Sequence, residues 1–272
     1  MRSPMQSNLR SLVGILSVLL CWQGIDLTCA DRSTAAPIND VLDRAGKGVT
    51  RLLDELAKVK CTELVQQVKL AKNGKTEYEE KSTFDYFVLT QPSGGEVNLV
   101  ESREAEGEAK HKKNLPLLVT NGFSTLALIF HPSYQGNFEF TPLQEEVLDG
   151  RQYARVQFRH IRRTRSTAVL VLRGREYPID LEGVAWIDEE TGWILRISAS
   201  LESSIEDVGL HTLRTEVQYA AVPFPGFRQS YWLPVEATVE VETPRQHWRN
   251  IHRFTSYQRF STSVRSTIGN GP

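Results

Sequence analysis

The chain has 272 residues, and its 32 Lys and Arg stand against 33 Asp and Glu for a formal net charge of −1. Such a balance gives no global attraction to nucleic acid, and three cysteines in this length exclude a disulfide-dense scaffold. The length fits one large domain or two small ones, and no internal repeat is visible.

Arg2 and Arg10 make the N-terminus positive, and the run Leu12 to Trp22 is apolar apart from Ser17. That run is about half the roughly 20 residues a spanning helix needs, so it reads as the apolar region of a secretory signal peptide. Gln23, Gly24 and Asp26 end it, and Thr28-Cys29-Ala30 supplies small residues for signal peptidase. Cleavage is expected after Ala30, with Ala35-Ala36 as a later option. Residues 1–30 are thus read as signal peptide, 31–262 as one domain and 263–272 as a disordered tail.

A lipoprotein anchor would want a small residue before the acylated cysteine, but Cys21 follows Leu20 and Cys29 follows Thr28. The expected product is therefore exported without a membrane anchor. Only Cys61 stays with it, so no internal disulfide is possible. A nucleophilic role for Cys61 would need a base and a lowered pKa, and it is read instead as a small buried residue at a strand start.

Ile38 to Lys58 places Ile38, Val41, Leu42, Ala45, Val49, Leu52, Leu53 and Leu56 at steps of three and four, which predicts an amphipathic helix. Gly46 and Gly48 make a break near them plausible. From Cys61 the period becomes two: Leu64, Val68 and Leu70 alternate with polar residues until Asn73-Gly74, a dipeptide suited to a type I′ hairpin. Glu77 to Leu89 returns with Tyr78, Phe84, Tyr86 and Val88 on one face. Ser93-Gly94-Gly95 turns the chain into a strand over Val97 to Glu101. Ser102 to Asn114 is charged and reads as an exposed loop. A second helix is predicted from Gly122 to Phe130, with Phe123, Leu126, Ile129 and Phe130 on one side and Pro132 ending it.

Strands follow at Tyr153 to Ile161, Val184 to Asp188, Trp193 to Leu201, Leu213 to Ala221 and His252 to Phe260. Another has Val235, Ala237, Val239 and Val241 facing away from Glu236, Thr238, Glu240 and Glu242. Clean alternation means one buried and one wet face, which disfavours a parallel sheet. The expected class is α+β, mostly β: a large twisted antiparallel sheet with helices against its apolar face.

The sequence lacks G-x-S-x-G, H-E-x-x-H, P-loop, G-x-G-x-x-G, C-x-x-C and EF-hand patterns. His111, His131, His160, His211, His247 and His252 are scattered, and the last two should face opposite sides of one strand. No metal, cofactor or catalytic residue is predicted. Glu145-Glu146 and Asp188-Glu189-Glu190 pair carboxylates, but the second cluster sits at a hairpin turn. Two basic stretches, Lys110 to Lys113 and Arg159 through Arg175, read as solvated loops with some attraction for anionic envelope surfaces. Trp186, Trp193, Trp232 and Trp248 read as core.

Val184-Ala185-Trp186-Ile187-Asp188 followed by Thr191-Gly192-Trp193-Ile194-Leu195-Arg196 resembles the hairpin of the LolA/LppX/RseB superfamily of outer-membrane lipoprotein-sorting proteins. Val217-Gln218-Tyr219, Trp232-Leu233-Pro234-Val235 and Phe254-Thr255-Ser256-Tyr257 add to the resemblance, which extends over most of residues 38 to 262. It implies a half-barrel whose concave apolar face is covered by helices, and a non-catalytic periplasmic carrier or sensor. The ligand implied is a lipid, a lipoprotein acyl chain or another apolar molecule. The Arg-rich insertion from Arg162 to Arg175 departs from the family.

Candidate residues lining the concavity are Phe123, Leu126, Phe130, Val184, Trp186, Leu195, Ile197, Val217, Val239 and Val241. Two other functions stay open: an exported envelope hydrolase using Glu145, Asp188 and Glu236, or an envelope assembly protein that binds a partner protein at a sheet edge.

Overall fold

In a computed structural model of the chain, the described residues are 36–93, 96–105, 126–172 and 175–260. The signal segment, Phe123, Lys110 to Lys113, Arg173 and the C-terminal tail lie outside them. Helix α1 (Ile38–Leu56) leads into strands β1 (Val59–Leu70), β2 (Thr76–Ser93) and β3 (Glu96–Ala105). After a 3-10 turn (Leu128–Phe130) and the short helix α2 (Pro132–Gln135) come β4 (Phe138–Leu148) and β5 (Arg151–His160). A small hairpin, β6 (Val169–Leu172) with β7 (Arg175–Pro178), interrupts the series before β8 (Leu181–Asp188) and β9 (Ile194–Leu201). Three long strands finish it: β10 (Thr212–Val222), β11 (Tyr231–Glu242) and β12 (His247–Arg259).

All but β6 and β7 join one ten-stranded antiparallel sheet, ordered β3-β2-β1-β12-β11-β10-β9-β8-β5-β4. The sheet is open, with β3 and β4 at its edges. The α+β, mostly β architecture expected from the alternation is therefore present. Among the described residues no helix is long and apolar enough to cross a membrane.

One face of the sheet carries the core. Val156 and Phe158 of β5, Ala185 and Ile187 of β8, Ile197 of β9, Val217 of β10, Leu233 and Ala237 of β11 and Phe254 of β12 are all buried there. Helix α1 covers this face with Val41, Ala45, Val49, Leu52, Leu53 and Leu56, and packs on β1, β2, β9 and β11. Each Val or Leu among them withdrawn from water is worth about 1.5–3 kcal/mol.

The helix is unbroken at Gly46 and Gly48, because the second glycine is a contact point and not a weak point. A Cβ on Gly48 would lie 2.6 Å from the carbonyl oxygen of Gly192, in the β8–β9 turn. Gly192 itself has φ +73°, and a Cβ there would lie 2.4 Å from the Arg44 carbonyl oxygen. Helix and turn thus meet backbone to backbone.

Several local expectations are corrected. The β1–β2 connection is not type I′: only Gly74 has positive φ, and Ala71 N–H bonds to Lys75 O around a three-residue loop. Pro132 does not end a helix but begins α2, whose first turn is capped by the His131 side chain accepting from Ser133 N–H. Strand β4 was unforeseen, since Pro142 and a bulge between Leu143 and Glu146 blur its alternation. The Arg-rich insertion is not merely loop, because β6 and β7 pair within it. Finally, Ser102 to Ala105 continue strand β3 instead of opening a loop.

Candidate functional site

Strand β1 turns a different face inward from the one its apolar residues suggested. Val59, Cys61, Glu63, Val65 and Gln67 alternate as buried positions, while Leu64 is 43% exposed. Two apolar rows run along this strand, and the one that faces the core carries a glutamate.

Glu63 is fully buried and bound from two sides. Arg103, on β3, donates through Nε to Oε2 at 2.5 Å and through Nη2 to Oε1 at 3.0 Å. His252, on β12, places Nδ1 2.8 Å from Oε1. Arg103 also reaches Glu101 Oε2 at 3.4 Å and stacks 5.0 Å over the ring of Tyr86 on β2. Four strands therefore contribute to one buried charge cluster.

Burial pulls the Glu63 carboxyl upward, but the hydrogen bonds from His252 and Arg103, together with the Arg103 charge, outweigh it and hold its pKa below the ordinary value. Burial likewise opposes the charge on Arg103, yet bonding to Glu63 keeps its pKa raised. Tyr86, wholly buried beside them, has its phenol pushed well up by desolvation and then by the Glu101 charge. Cys61 is pushed up to about 12 by burial, so its thiol stays protonated and is no nucleophile.

The concave face holds further polar groups. Gln67 is 4% exposed and Tyr219, on β10, is 2% exposed; Gln67 Nε2 and the Tyr219 hydroxyl make no hydrogen bond. Neither was foreseen, nor were Glu63, Arg103 and His252 as a group. The available signal was a lone Glu two residues from Cys61 and from Val65 on a strand with two candidate faces.

Of the residues proposed to line the concavity, Leu126, Phe130, Ile197, Val217, Val239 and Val241 join the core on this face. Val184 and Trp186 do not, because they alternate with the buried Ala185 and Ile187 and point to the convex side. There Trp186 donates Nε1–H to Glu146 Oε2 at 2.8 Å, with the guanidinium of Arg196 3.8 Å and that of Arg155 5.5 Å from its ring centre. Leu195 is half-buried beside the bulge that offsets β8 from β9 and stays outside the core cluster.

The carboxylates set aside for hydrolysis do not converge. Asp188 Oδ1 is consumed by its own turn, accepting from Glu190 N–H, Thr191 N–H and the Thr191 hydroxyl. Glu145 neighbours Glu189, whose pKa is raised by burial and then by that charge. Glu236 lies three strands from β8, paired with Arg253 at 3.1 Å. Among the described residues no group of His, Cys, Asp or Glu has metal-binding geometry.

Two contacts join the elements that lie over the concave face. Gln135, in α2, donates to the Leu42 carbonyl of α1 at 2.9 Å, tying the two helices together. Tyr134 beside it donates its hydroxyl to the Val97 carbonyl of β3 at 3.0 Å, and the Arg165 guanidinium lies 5.6 Å from the Tyr134 ring centre.

No family is matched by the sequence, and no curated protein is matched by it. Among solved structures the chain is similar to a DUF1329 family protein from Desulfovibrio piger, at 11% identity and TM-score 0.42, covering 84% of this chain and 95% of that one. It is also similar to a putative outer membrane lipoprotein-sorting protein domain from Vibrio parahaemolyticus, at 11% identity and TM-score 0.37, covering 81% and 95%. The third is the Pseudomonas aeruginosa MucA/MucB complex, at 11% identity and TM-score 0.24, covering 80% and 99%.

Proposed function

We propose that this chain is an exported periplasmic carrier or sensor, without catalytic chemistry, that holds a lipid or lipoprotein acyl chain against the concave face. The observation that carries this is that the apolar face is roofed by separate elements, α1 and α2, joined where Gln135 donates to the Leu42 carbonyl, with Tyr134 donating to the Val97 carbonyl of β3. A roof made of separable elements over an apolar sheet is suited to admitting an extended apolar guest. Leu126, Phe130, Ile197, Val217, Val239 and Val241 supply the apolar contacts in this proposal.

The test is native purification of the exported protein followed by organic extraction and mass spectrometry, with a fluorescent fatty-acid titration alongside. Stoichiometric lipid and saturable binding are expected. Absence of both sinks the proposal.

A second reading rests on strand β3. Its register with β2 runs unbroken over ten pairs, whereas the opposite edge, β4, is blunted by Pro142 and a bulge. An envelope protein could add a strand there. Protection of β3 amides from hydrogen exchange on adding such a partner would support it.

A further inference from the structure

The loop between β10 and β11 carries two phenylalanines three residues apart with opposite fates. Phe224 is 5% exposed and packs on Tyr231, ring centres 4.9 Å apart, whereas Phe227 is 55% exposed. Phe227 N–H donates to the Phe224 carbonyl at 3.1 Å, and Gly226 between them has φ +81°. With Pro225 before that glycine, these are the marks of a type II turn. The turn buries one ring and holds the other in water.

The end of β12 meets that tip. The Arg259 guanidinium lies 4.1 Å from the Phe227 ring centre and 5.4 Å from that of Tyr231. Phe260, the next residue, is 47% exposed; its N–H donates to the Lys58 carbonyl at 2.9 Å, and its ring meets Phe87 edge-on at 6.2 Å. Phe227-Arg228 and Arg259-Phe260 thus bring two exposed rings and two guanidiniums to one end of the sheet. Along the strands Arg159, Arg249 and Arg253 each face a glutamate. Arg228 and Arg259 have no such partner among the described residues. The sequence carries no Asp or Glu from Ala220 to Trp232, and none from Thr243 to Pro272.

Exposed rings beside unpaired cations, on a tip and not in a groove, match the boundary between lipid headgroups and acyl chains, where aromatic side chains settle and guanidiniums meet phosphate. A stable protein partner would want about 800 Å² from each side, more than a four-residue turn and one strand end offer. We propose that the Phe227 turn and the Arg259-Phe260 strand end form a membrane-contact edge that seats on an anionic bilayer, with both rings at the headgroup boundary and both guanidiniums on lipid phosphates. This contact does not depend on any guest in the concave face.

The experiment is co-sedimentation of the purified full chain with two kinds of vesicle: phosphatidylcholine alone, and phosphatidylcholine with roughly a third of phosphatidylglycerol. The wild type should bind the anionic vesicles about tenfold more tightly than the neutral ones, and added salt should erase the difference. Phe227→Ser with Phe260→Ser should weaken binding to the anionic vesicles about tenfold. Arg228→Glu should remove most of the anionic preference, and Val169→Ser, at an exposed apolar residue of β6, should change nothing. Arg228 is fully at the surface, so that variant decides the matter if the phenylalanine pair proves needed for folding.

No binding to either vesicle, equal binding to both, or an Arg228→Glu variant that behaves as the wild type would each overturn the membrane contact. Fatty-acid titration of the same samples reads the carrier function separately, so the two can fail independently. A wild-type dimer in sedimentation velocity without vesicles, turned into monomer by Phe227→Ser, would assign the rings to a second copy of the chain and overturn the proposal as well.

Discussion

The hydroxyl of Tyr134, in helix α2, donates to the carbonyl of Val97 at 3.0 Å. Val97 lies on edge strand β3, and Tyr134 lies just ahead of edge strand β4. That bond ties α2, which leads into the opposite edge strand, to the β3 margin.

Tyr134→Phe should therefore lower stability by about 1 kcal/mol, read as a fall in urea midpoint without a change in slope. Amide exchange along β3 should accelerate more than exchange along β10 or β11. Uniform acceleration would mean that the bond supports the whole fold and no particular margin.

Gly48→Ala inverts the usual effect of that substitution. In an exposed helix interior alanine gains about 1 kcal/mol over glycine, but here the new methyl would sit 2.6 Å from the Gly192 carbonyl oxygen. Overpacking against backbone should cost about 1–3 kcal/mol. Gly46→Ala, which meets Pro132 Cγ at 3.1 Å, should cost less. Thermal unfolding of the two variants side by side tests the ranking.

Glu63 and Glu55 should respond to acid in opposite ways. The folded Glu63 carboxyl has its pKa below the ordinary value. Its contribution is full above the unfolded pKa and lost as pH falls through the folded one. Glu55 has a raised pKa, chiefly from burial, while accepting Trp232 N–H at 3.0 Å. Its contribution is present at low pH and lost as pH rises through the folded value. Glu63→Gln should cost about 3 kcal/mol near neutrality and flatten the acid limb of the stability curve. Glu55→Gln should be close to neutral or stabilising at pH 7. Urea titrations between pH 3 and 8 measure both, on the order of the ordinary carboxylate range upward.

Cys61, 2% exposed and with its thiol pKa pushed to about 12, should resist a thiol-specific disulfide reagent at pH 8. Labelling in the native state should proceed no faster than unfolding, and at once in denaturant. Rapid native labelling would show that β1 opens locally.

The architecture was legible because its long strands alternate. Val235 to Glu242 and Tyr153 to Ile161 each offer one apolar face, and each was placed within a few residues of β11 and β5. Helix α1 was legible for the same reason at a period of 3.6. Strand β1 defeated the method because Leu64, Val68 and Leu70 make as good an apolar row as Val59, Cys61 and Val65. With two such rows, a one-residue choice of phase decides which side chains are buried.

That choice hid the charge cluster. Glu63 looked like a solvated residue, and Arg103 looked like part of a charged loop; each is buried because the other is present. Val184 and Trp186 were misplaced by a related ambiguity, since β8 is apolar on both faces and buries Trp186 under two arginines. Charge pairing across strands far apart in sequence leaves no local trace.

The bond between Glu63 and His252 joins residues 189 positions apart, on β1 and β12, the third and fourth strands in the sheet order. The rest of the sheet is built from neighbours: β1 to β3 form one meander, and β8 to β12 form another. Each can assemble by itself, but the seam between them waits for the last strand and is closed against a large loop entropy. Until then the chain consists of a three-stranded and a larger sheet with four unpaired margins instead of two, a state prone to pairing with its own copies. Loss of β12 would therefore cost more than one strand of ten: it would sever the three strands β3, β2 and β1 from the six that remain.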